Sequence, residues 1–433
     1  MNYQESLDYL FAQLPMFSRI GAAAYKPGLD TSIALDNFFG NPHRQYRCIH
    51  IAGTNGKGST SHMLAAILQE SGYKVGLYTS PHLADFRERM RVNGEMIPRE
   101  DVIDFVERWQ KCEYEGHPSF FELTMMMAFD WFARQHVDIA VIEVGMGGRL
   151  DSTNIISPIG CVITNISPDH TQFLGDTLPK IASEKAGIIK EGIPVVIGEA
   201  EGDVRRVFEQ KSQSVGAPVT FAEDERLLTR CEEDAESGGW KCHTSLFPEP
   251  FHAELGGSYQ RKNINTLLSA VRMLRSQGLD IPDSAIMSGV GNVCELTGLA
   301  GRWMITAQSP LTICDTGHNE AGLGETMPQL ERVRSRQGGV ARLVIGFVSD
   351  KDVDHIKHLL PNDAIYYTTR ASVPRAMDAE QLHNLLLSEG LNSVLCDGGV
   401  TAAYSQALKD ADERDVIFIG GSTFVVADYL AGI

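Results

Sequence analysis

The sequence predicts an α/β protein in two parts, a doubly wound domain of the phosphate-loop (P-loop) type over 1–298 and a smaller Rossmann-like α/β domain over 299–433. Three observations lead there. The chain has 433 residues, more than one ordinary domain holds. Short, nearly continuous apolar runs alternate with helical periodicity, the pattern of parallel strands buried on both faces between crossover helices. One of those runs feeds a glycine-rich turn that opens a helix.

In chain order, Cys48–Ala52, Lys74–Thr79, Asp138–Val144, Gly160–Asn165 and Ile193–Gly198 read as strands of the first domain. Ser59–Ser71, Phe120–Gln135 and Leu178–Ile189 read as helices between them. Across 217–254 the texture turns acidic, with Glu223-Asp224-Glu225 and Cys231–Glu236 followed by Ser237-Gly238-Gly239, and a solvated hairpin region is expected. Helical periodicity returns at Gln260–Gln277, and Thr297–Arg302 carries the glycines of an interdomain connection. Strands are then expected at Leu311–Cys314, Arg342–Phe347, Ala364–Thr368, Ser393–Cys396 and Asp415–Ile419, with helices between. Val416–Ile433 reads as strand, glycine turn and helix, because Gly420–Thr423 and Asp428 interrupt its apolar run.

Composition narrows the function. Apolar residues make up 43% and charged residues 22%, as in ordinary globular chains. Thirty-eight Lys and Arg against 56 Asp and Glu leave a net charge of −18, which disfavours nucleic acid and anionic membrane as partners. A small anionic ligand remains compatible, since a local pocket of lysines and backbone N–H groups attracts phosphate. The eight cysteines are scattered, with no CxxC pair, so reduced thiols in a cytoplasmic protein are expected. No signal peptide is visible at Met1–Leu10, and no run of eighteen apolar residues occurs. The expectation is a soluble monomer.

Ligands of such sheets sit at the carboxyl ends of strands, so the residues that follow each strand carry the chemistry. Gly53-Thr54-Asn55-Gly56-Lys57-Gly58-Ser59-Thr60 follows the first strand and enters a helix. Glycines allow close backbone approach, the helix start aims free N–H groups at an anion, and Lys57 adds a point charge. The spacing departs from GxxxxGK[ST]: the first glycine is Gly53, and Gly58 stands where Ser or Thr is usual. Phosphate binding is still the better reading, given the strand before and the helix after. Glu143 lies near the end of a buried strand and needs a cation, either a core arginine or Mg²⁺. His170 follows the next strand, Ser80-Pro81-His82-Leu83 another, and Lys185 sits beside Glu184 where a surface ion pair is the plain expectation.

Together these segments resemble the Mur ligase superfamily, and within it the folylpolyglutamate synthase/dihydrofolate synthase family. The resemblance is carried by Gly53–Ser59 (GTNGKGS), Thr79–Leu83 (TSPHL), Glu143–Asp151 (EVGMGGRLD), Asn165–His170 (NISPDH) and Ile181–Lys190 (IASEKAGIIK). Gln260–Asn263, Gly301-Arg302, Asp315–Asn319 (DTGHN), Asp350-Lys351-Asp352 and Gly421-Ser422 continue it. It implies that the first domain is of the ATPase type and that Gly53–Thr60, with Asn263, Arg302 and Asp315, bind ATP. It further implies Ser80, Glu143 and His170 as Mg²⁺ ligands, and Lys185 as a carbamylated lysine holding a second Mg²⁺. Lys57, His170 and Lys185 are then the catalytic candidates. Lys26–Leu29, Pro81, His82 and Phe121 fall where the pterin substrate is expected, and His318 neighbours the active site. Departures occur at Thr316-Gly317, Glu320 and Ala300, positions that flank the amino-acid pocket.

The activity implied is ATP-dependent addition of L-glutamate to dihydropteroate, to folate (poly)glutamates or to both, through an acyl phosphate, with the two domains closing to exclude water. Two other readings stand beside it. A peptidoglycan-precursor ligase shares the ATP chemistry but takes a uridine-nucleotide sugar. A non-catalytic nucleotide-binding protein would bind ATP without forming an acyl phosphate.

Overall fold

The computed structural model describes residues 1–14, 28–234, 238–349 and 356–433. Lys26, Pro27, Ser237 and Asp350-Lys351-Asp352 lie outside the described residues. The chain forms two compact units: Met1–Glu254 with Gln260–Leu299, and Leu255–Tyr259 with Ala300–Ile433.

The first unit is built on an eight-stranded sheet ordered β4-β3-β2-β5-β1-β6-β7-β8. Its strands are β1 (Arg47–Ala52), β2 (Val75–Tyr78), β3 (Met90–Val92), β4 (Glu95–Met96), β5 (Ile139–Glu143), β6 (Gly160–Ile163), β7 (Val195–Ile197) and β8 (Val219–Phe221). From β2 to β8 every neighbour is parallel, while β3 and β4 add an antiparallel hairpin at one edge. The expected strands are present: β1 begins one residue earlier than its apolar run, β2, β5 and β6 are two residues shorter than theirs, and β7 is three shorter. β8 lies inside the stretch expected to be hairpin, and it extends the parallel sheet. Only the remainder of that stretch, β9 (Leu228–Glu233), β10 (Trp240–Thr244) and β11 (Phe251–Ala253), forms the antiparallel sheet β11-β10-β9.

Two parts of the core hold this sheet. Tyr78, Ala140 and Ile142 are buried with Phe105 of helix Arg99–Lys111 and Phe129 and Phe132 of helix Phe120–Arg134. Further along, Cys161, Ile163, Val195 and Ile197 are buried with Ala182, Ala186 and Phe208 of the helices Leu178–Ala186 and Gly202–Ser214. The helix after the glycine turn runs from Lys57 to Glu70, two residues earlier than its periodicity predicts. It is buried without a break from Ser59 to Leu68, not on a single face. Glycine explains how its neighbour comes so close: a Cβ at Gly289, in helix Asp283–Gly291, would lie 2.6 Å from the Ile67 amide nitrogen. This helix is therefore clamped along its length, which fixes the turn that precedes it.

The second unit holds a six-stranded sheet ordered β12-β13-β17-β14-β15-β16. These are β12 (Met304–Gln308), β13 (Leu311–Cys314), β14 (Ala341–Ile345), β15 (Ile365–Thr368), β16 (Asn392–Leu395) and β17 (Val416–Gly420). All pair in parallel except β12, an antiparallel edge strand whose apolar residues Met304, Ile305 and Ala307 are interrupted by Thr306 and closed by Gln308, too short a run to stand out. Alternate residues of β14 and β17 serve opposite faces. Leu343, Ile345, Val416 and Phe418 meet Leu323, Met327 and Leu330, while Val344, Ile417 and Ile419 meet Val400, Ala403 and Val426.

Candidate active site

The centre of the candidate site is the turn between β1 and helix Lys57–Glu70, flanked in the sheet by β5 and β6. Gly53 at φ +146 and Gly56 at φ +83 occupy backbone that side chains rarely adopt. Space forbids a side chain as well. A Cβ on Gly53 would run into the Thr164 hydroxyl, and one on Gly56 into the Asn263 side-chain amide. The segment after β6 holds the turn from beneath. Asn165 accepts from the Asn55 N–H at 3.0 Å through Oδ1 and donates from Nδ2 to the Asn55 carbonyl at 3.0 Å. The Thr164 hydroxyl donates to the same carbonyl at 2.6 Å, and the Thr54 hydroxyl accepts from the Ser167 N–H at 3.1 Å. On the helix side, Gln260 Nε2 donates to Ser59 Oγ at 3.1 Å and Asn263 Nδ2 to Gln260 Oε1 at 2.8 Å.

Two ammonium groups converge on one carbonyl of this turn. Lys57 Nζ donates to Gly53 O at 3.1 Å and to Thr54 O at 3.1 Å, and Lys185 Nζ donates to Gly53 O at 2.9 Å. Lys185 is 4% exposed, so it is not the surface ion-pair member its neighbourhood in sequence suggests. Glu184 takes that part, pairing with Arg149 at 2.9 Å. Burial and then repulsion from Lys57 push the Lys185 amine down to about 7, against the opposing pull of Asp169 and Asp151.

Glu143 is buried at the end of β5, opposite Ile51 of β1, and its Oε2 accepts from the Ser80 N–H at 3.0 Å. Ser80 thus meets Glu143 through its backbone. His170 occupies left-handed backbone at φ +48, rare for a residue with a side chain, directly before helix Thr171–Leu174. Its own N–H donates to Asp169 Oδ1 at 2.9 Å. No group of three or more His, Cys, Asp or Glu capable of holding a metal ion occurs among the described residues. Glu143 and His170 are two such donors, after the strands on either side of β1, and a hydroxyl such as that of Ser80 lies outside that residue set. The Glu143 carboxylate suits Mg²⁺, which keeps waters and phosphate oxygens in its shell and takes one or two carboxylates from protein, whereas the His170 imidazole would add a nitrogen to an otherwise oxygen set.

Of the residues expected around the substrate, Pro81 and His82 follow Ser80, whose N–H meets Glu143, and Phe121 lies on Gly145. Following Pro81, His82 Nδ1 accepts from Arg89 Nε at 2.8 Å, so its proton is on Nε2. Burial and Arg89 hold His82 neutral, its pKa lowered to about 3. The Phe121 ring lies on Gly145, where a Cβ would be 2.5 Å from the ring edge, and packs on Tyr78 at 6.0 Å between centroids. Asp151 is buried behind Gly145 and accepts from the Met146 N–H at 2.8 Å and the Thr153 N–H at 3.0 Å.

Within the second unit, Asp315 follows β13 and is buried. Its Oδ2 accepts from the Tyr259 hydroxyl at 2.6 Å and the Trp303 N–H at 2.8 Å, and its Oδ1 from the Gly317 N–H at 2.7 Å. Burial pushes its carboxyl up even so, against those donors and Arg302. His318 Nδ1 lies 3.0 Å from the Thr316 carbonyl. Sequence reasoning did not single out Asn165, Gln260, Arg89, Asp151 or Tyr259. The first two could have been sought by asking which polar side chains pin a glycine turn, whereas Arg89 and Tyr259 carry no local signal.

A glycine turn on a helix start, with two lysines on it and a carboxylate at the end of the neighbouring strand, in a chain that also carries a second α/β unit, defines an ATP-dependent ligase of the Mur type. The Mur ligase middle domain matches residues 51–270, and the Mur ligase glutamate ligase domain matches 301–423. The chain is 32% identical to the dihydrofolate synthase/folylpolyglutamate synthase of Bacillus subtilis, covering 98% of each. It is 33% identical to a probable bifunctional folylpolyglutamate synthase/dihydropteroate synthase of Haloferax volcanii, covering 99% of this chain but only 50% of that protein. The structure of E. coli FolC in complex with DHPP and ADP superposes with a TM-score of 0.83 at 29% identity, covering 100% of this chain and 97% of that one. The chain belongs to the Mur ligase family, in its folylpolyglutamate synthase/dihydrofolate synthase branch of ATP-dependent glutamate ligases.

Proposed function

We propose that this chain joins L-glutamate to the carboxylate of dihydropteroate and of folate (poly)glutamates, consuming ATP through an acyl phosphate. The observation that carries the reading is the pair Lys57 and Lys185 on the Gly53 carbonyl, in a turn whose N–H groups open a buried helix.

In this reading Gly53–Thr60 hold the triphosphate, and Asn263, Arg302 and Asp315 serve the nucleotide. The folate carboxylate oxygen attacks the γ-phosphorus, the bond to the β-phosphate oxygen breaks, and ADP departs. The Lys57 ammonium follows the charge as it moves onto the leaving phosphate, so positioning and electrostatics account for most of the acceleration. Glutamate's amine then attacks the acyl carbonyl, losing a proton, and inorganic phosphate leaves. Phe121, Pro81 and the Nε2–H of His82 orient the folate, while His318 belongs to the amino-acid side.

Ser80, Glu143 and His170 would hold one Mg²⁺ and carbamylated Lys185 a second, and Mg²⁺ supplies neutralisation of the phosphoryl oxygens. Carbamylation needs a neutral amine: Lys–NH₂ adds CO₂ and releases one proton. An amine brought down to about 7 presents that form at neutral pH, whereas one at the usual 10.5 would be almost wholly protonated. The same reading makes the protein a cytoplasmic monomer, in keeping with its acidic surface and unpaired thiols. No helix among the described residues is long and apolar enough to cross a membrane.

The test is ATP- and Mg²⁺-dependent incorporation of labelled glutamate, run separately on dihydropteroate and on a reduced folate monoglutamate. Incorporation into both is expected. Turnover with a uridine-nucleotide sugar instead, or none with either acceptor, would overturn the assignment.

A further inference from the structure

The small antiparallel sheet β9–β11 carries a feature that ligase chemistry does not use. Cys231 of β9 and Cys242 of β10 are directly opposed in the ladder, and their sulfurs are 3.4 Å apart. The register says more. The Asp234 N–H donates to the Gly239 carbonyl at 2.9 Å, which makes that pair a hydrogen-bonded one. Hydrogen-bonded and non-hydrogen-bonded pairs alternate along an antiparallel ladder, so Cys231 and Cys242, three steps further, form a non-hydrogen-bonded pair. Such pairs bring Cα atoms to about 4.5 Å with side chains on the same face, inside the window of roughly 4.4–6.8 Å that a disulfide spans. The two thiols therefore need only rotate about their χ1 bonds to join.

We propose that Cys231 and Cys242 form a thiol–disulfide exchange site, a redox-modification site that takes low-molecular-weight disulfides and ends as an intrachain disulfide across the β9–β10 hairpin. Cys231 is the half-exposed member and Cys242 the buried one. The sulfur–sulfur contact lowers the Cys231 thiol against the effect of burial, with Arg261 adding a nearby positive charge, while the same contact and burial raise Cys242. The order of events follows. The Cys231 thiolate attacks one sulfur of the reagent disulfide, the reagent S–S bond breaks, and one reagent thiolate leaves. The Cys242 sulfur, giving up its proton to solvent, attacks Cys231 Sγ and expels the second reagent thiolate. Two protein thiols are oxidised and the reagent's two sulfurs are reduced.

The site is remote in role from the phosphate loop, so it stands or falls independently of the proposed activity. The protein is incubated with oxidised glutathione, the reagent is removed, remaining thiols are alkylated in denaturant, and peptides are mapped by mass spectrometry without reduction. The wild type is expected to fall from eight alkylatable thiols by two, with a 231–242 cross-linked peptide that dithiothreitol releases. Cys242→Ser is expected to stop at a stable glutathione adduct on Cys231, and Cys231→Ser to show neither product. Far-UV spectra matching the wild type establish that both variants fold. Two outcomes would overturn the proposal: both thiols remaining alkylatable while half-exposed Cys112 is modified, or a lasting Cys231–glutathione adduct in the wild type.

Discussion

Lys185 shows what a single residue contributes and how little its sequence neighbourhood reveals. Beside Glu184 on a helix it reads as a solvated cation, yet the helix turns it inward onto Gly53 and leaves Glu184 to Arg149. Lys185→Arg keeps the charge but offers no amine at about 7, so it should lower turnover by at least two orders of magnitude. In wild type, removing dissolved CO₂ should cut activity and bicarbonate should restore it; the variant should not respond. The pH sign is set by the depressed amine. Below pH 7 the amine is protonated and activation by CO₂ fades, whereas above it activation persists. In unmodified protein, the unfolded chain still binds this proton between about 7 and 10.5 when the folded chain does not, so stability should rise with pH across that window. Thermal midpoints of wild type and Lys185→Met measured between pH 7 and 9 check this, with the variant flatter. Gly53, by contrast, was legible. Gly53→Ala places a Cβ on the Thr164 hydroxyl in backbone at φ +146, and should cost about 1–3 kcal/mol and most ATP affinity. Equilibrium denaturation and nucleotide titration would read both.

At the scale of elements, the strands and helices that position the turn were legible because β1, β2, β5, β6 and β7 lie in nearly continuous apolar runs. What was not legible follows a physical pattern. β3, β4 and β12 are short and partly polar, β4 and β12 at sheet edges and β3 next to one, so no periodicity marks them. β8 hid in an acidic context because Val219 and Thr220 are only half buried. The helix after the turn was expected to be amphipathic, but neighbours from 260–297 cover its other side. The clamp between elements makes a prediction of its own. Asn165→Ala removes both bonds to the Asn55 backbone and should weaken ATP binding about tenfold, near 1.4 kcal/mol, with far-UV signal unchanged. Helix Phe120–Arg134 starts with a capping box in which Glu122 accepts from the Ser119 N–H and hydroxyl, and from Ser32. Ser119→Ala should cost about 1–2 kcal/mol and, by loosening the turn that carries Phe121, raise KM for the folate more than for ATP.

For the whole molecule, the net charge of −18 disfavoured nucleic acid and anionic membrane as partners, and the length pointed to more than one domain. The two α/β units and their order along the chain were legible. The assignment of Leu255–Tyr259 to the second unit was not, because the bonds that tie that segment there, among them the Tyr259 hydroxyl on Asp315, the Ser258 N–H on Gln329 and Gln329 Nε2 on the Gly256 carbonyl, join residues far apart in sequence. The substrate carboxylate provides the most direct test of acyl-phosphate chemistry. Dihydropteroate labelled with ¹⁸O in its carboxylate is turned over with ATP and L-glutamate, and the released phosphate is analysed by mass spectrometry. One ¹⁸O atom in the phosphate, for each amide formed, is the predicted result, because the attacking carboxylate oxygen leaves with phosphorus. Unlabelled phosphate accompanying labelled amide product would contradict the account.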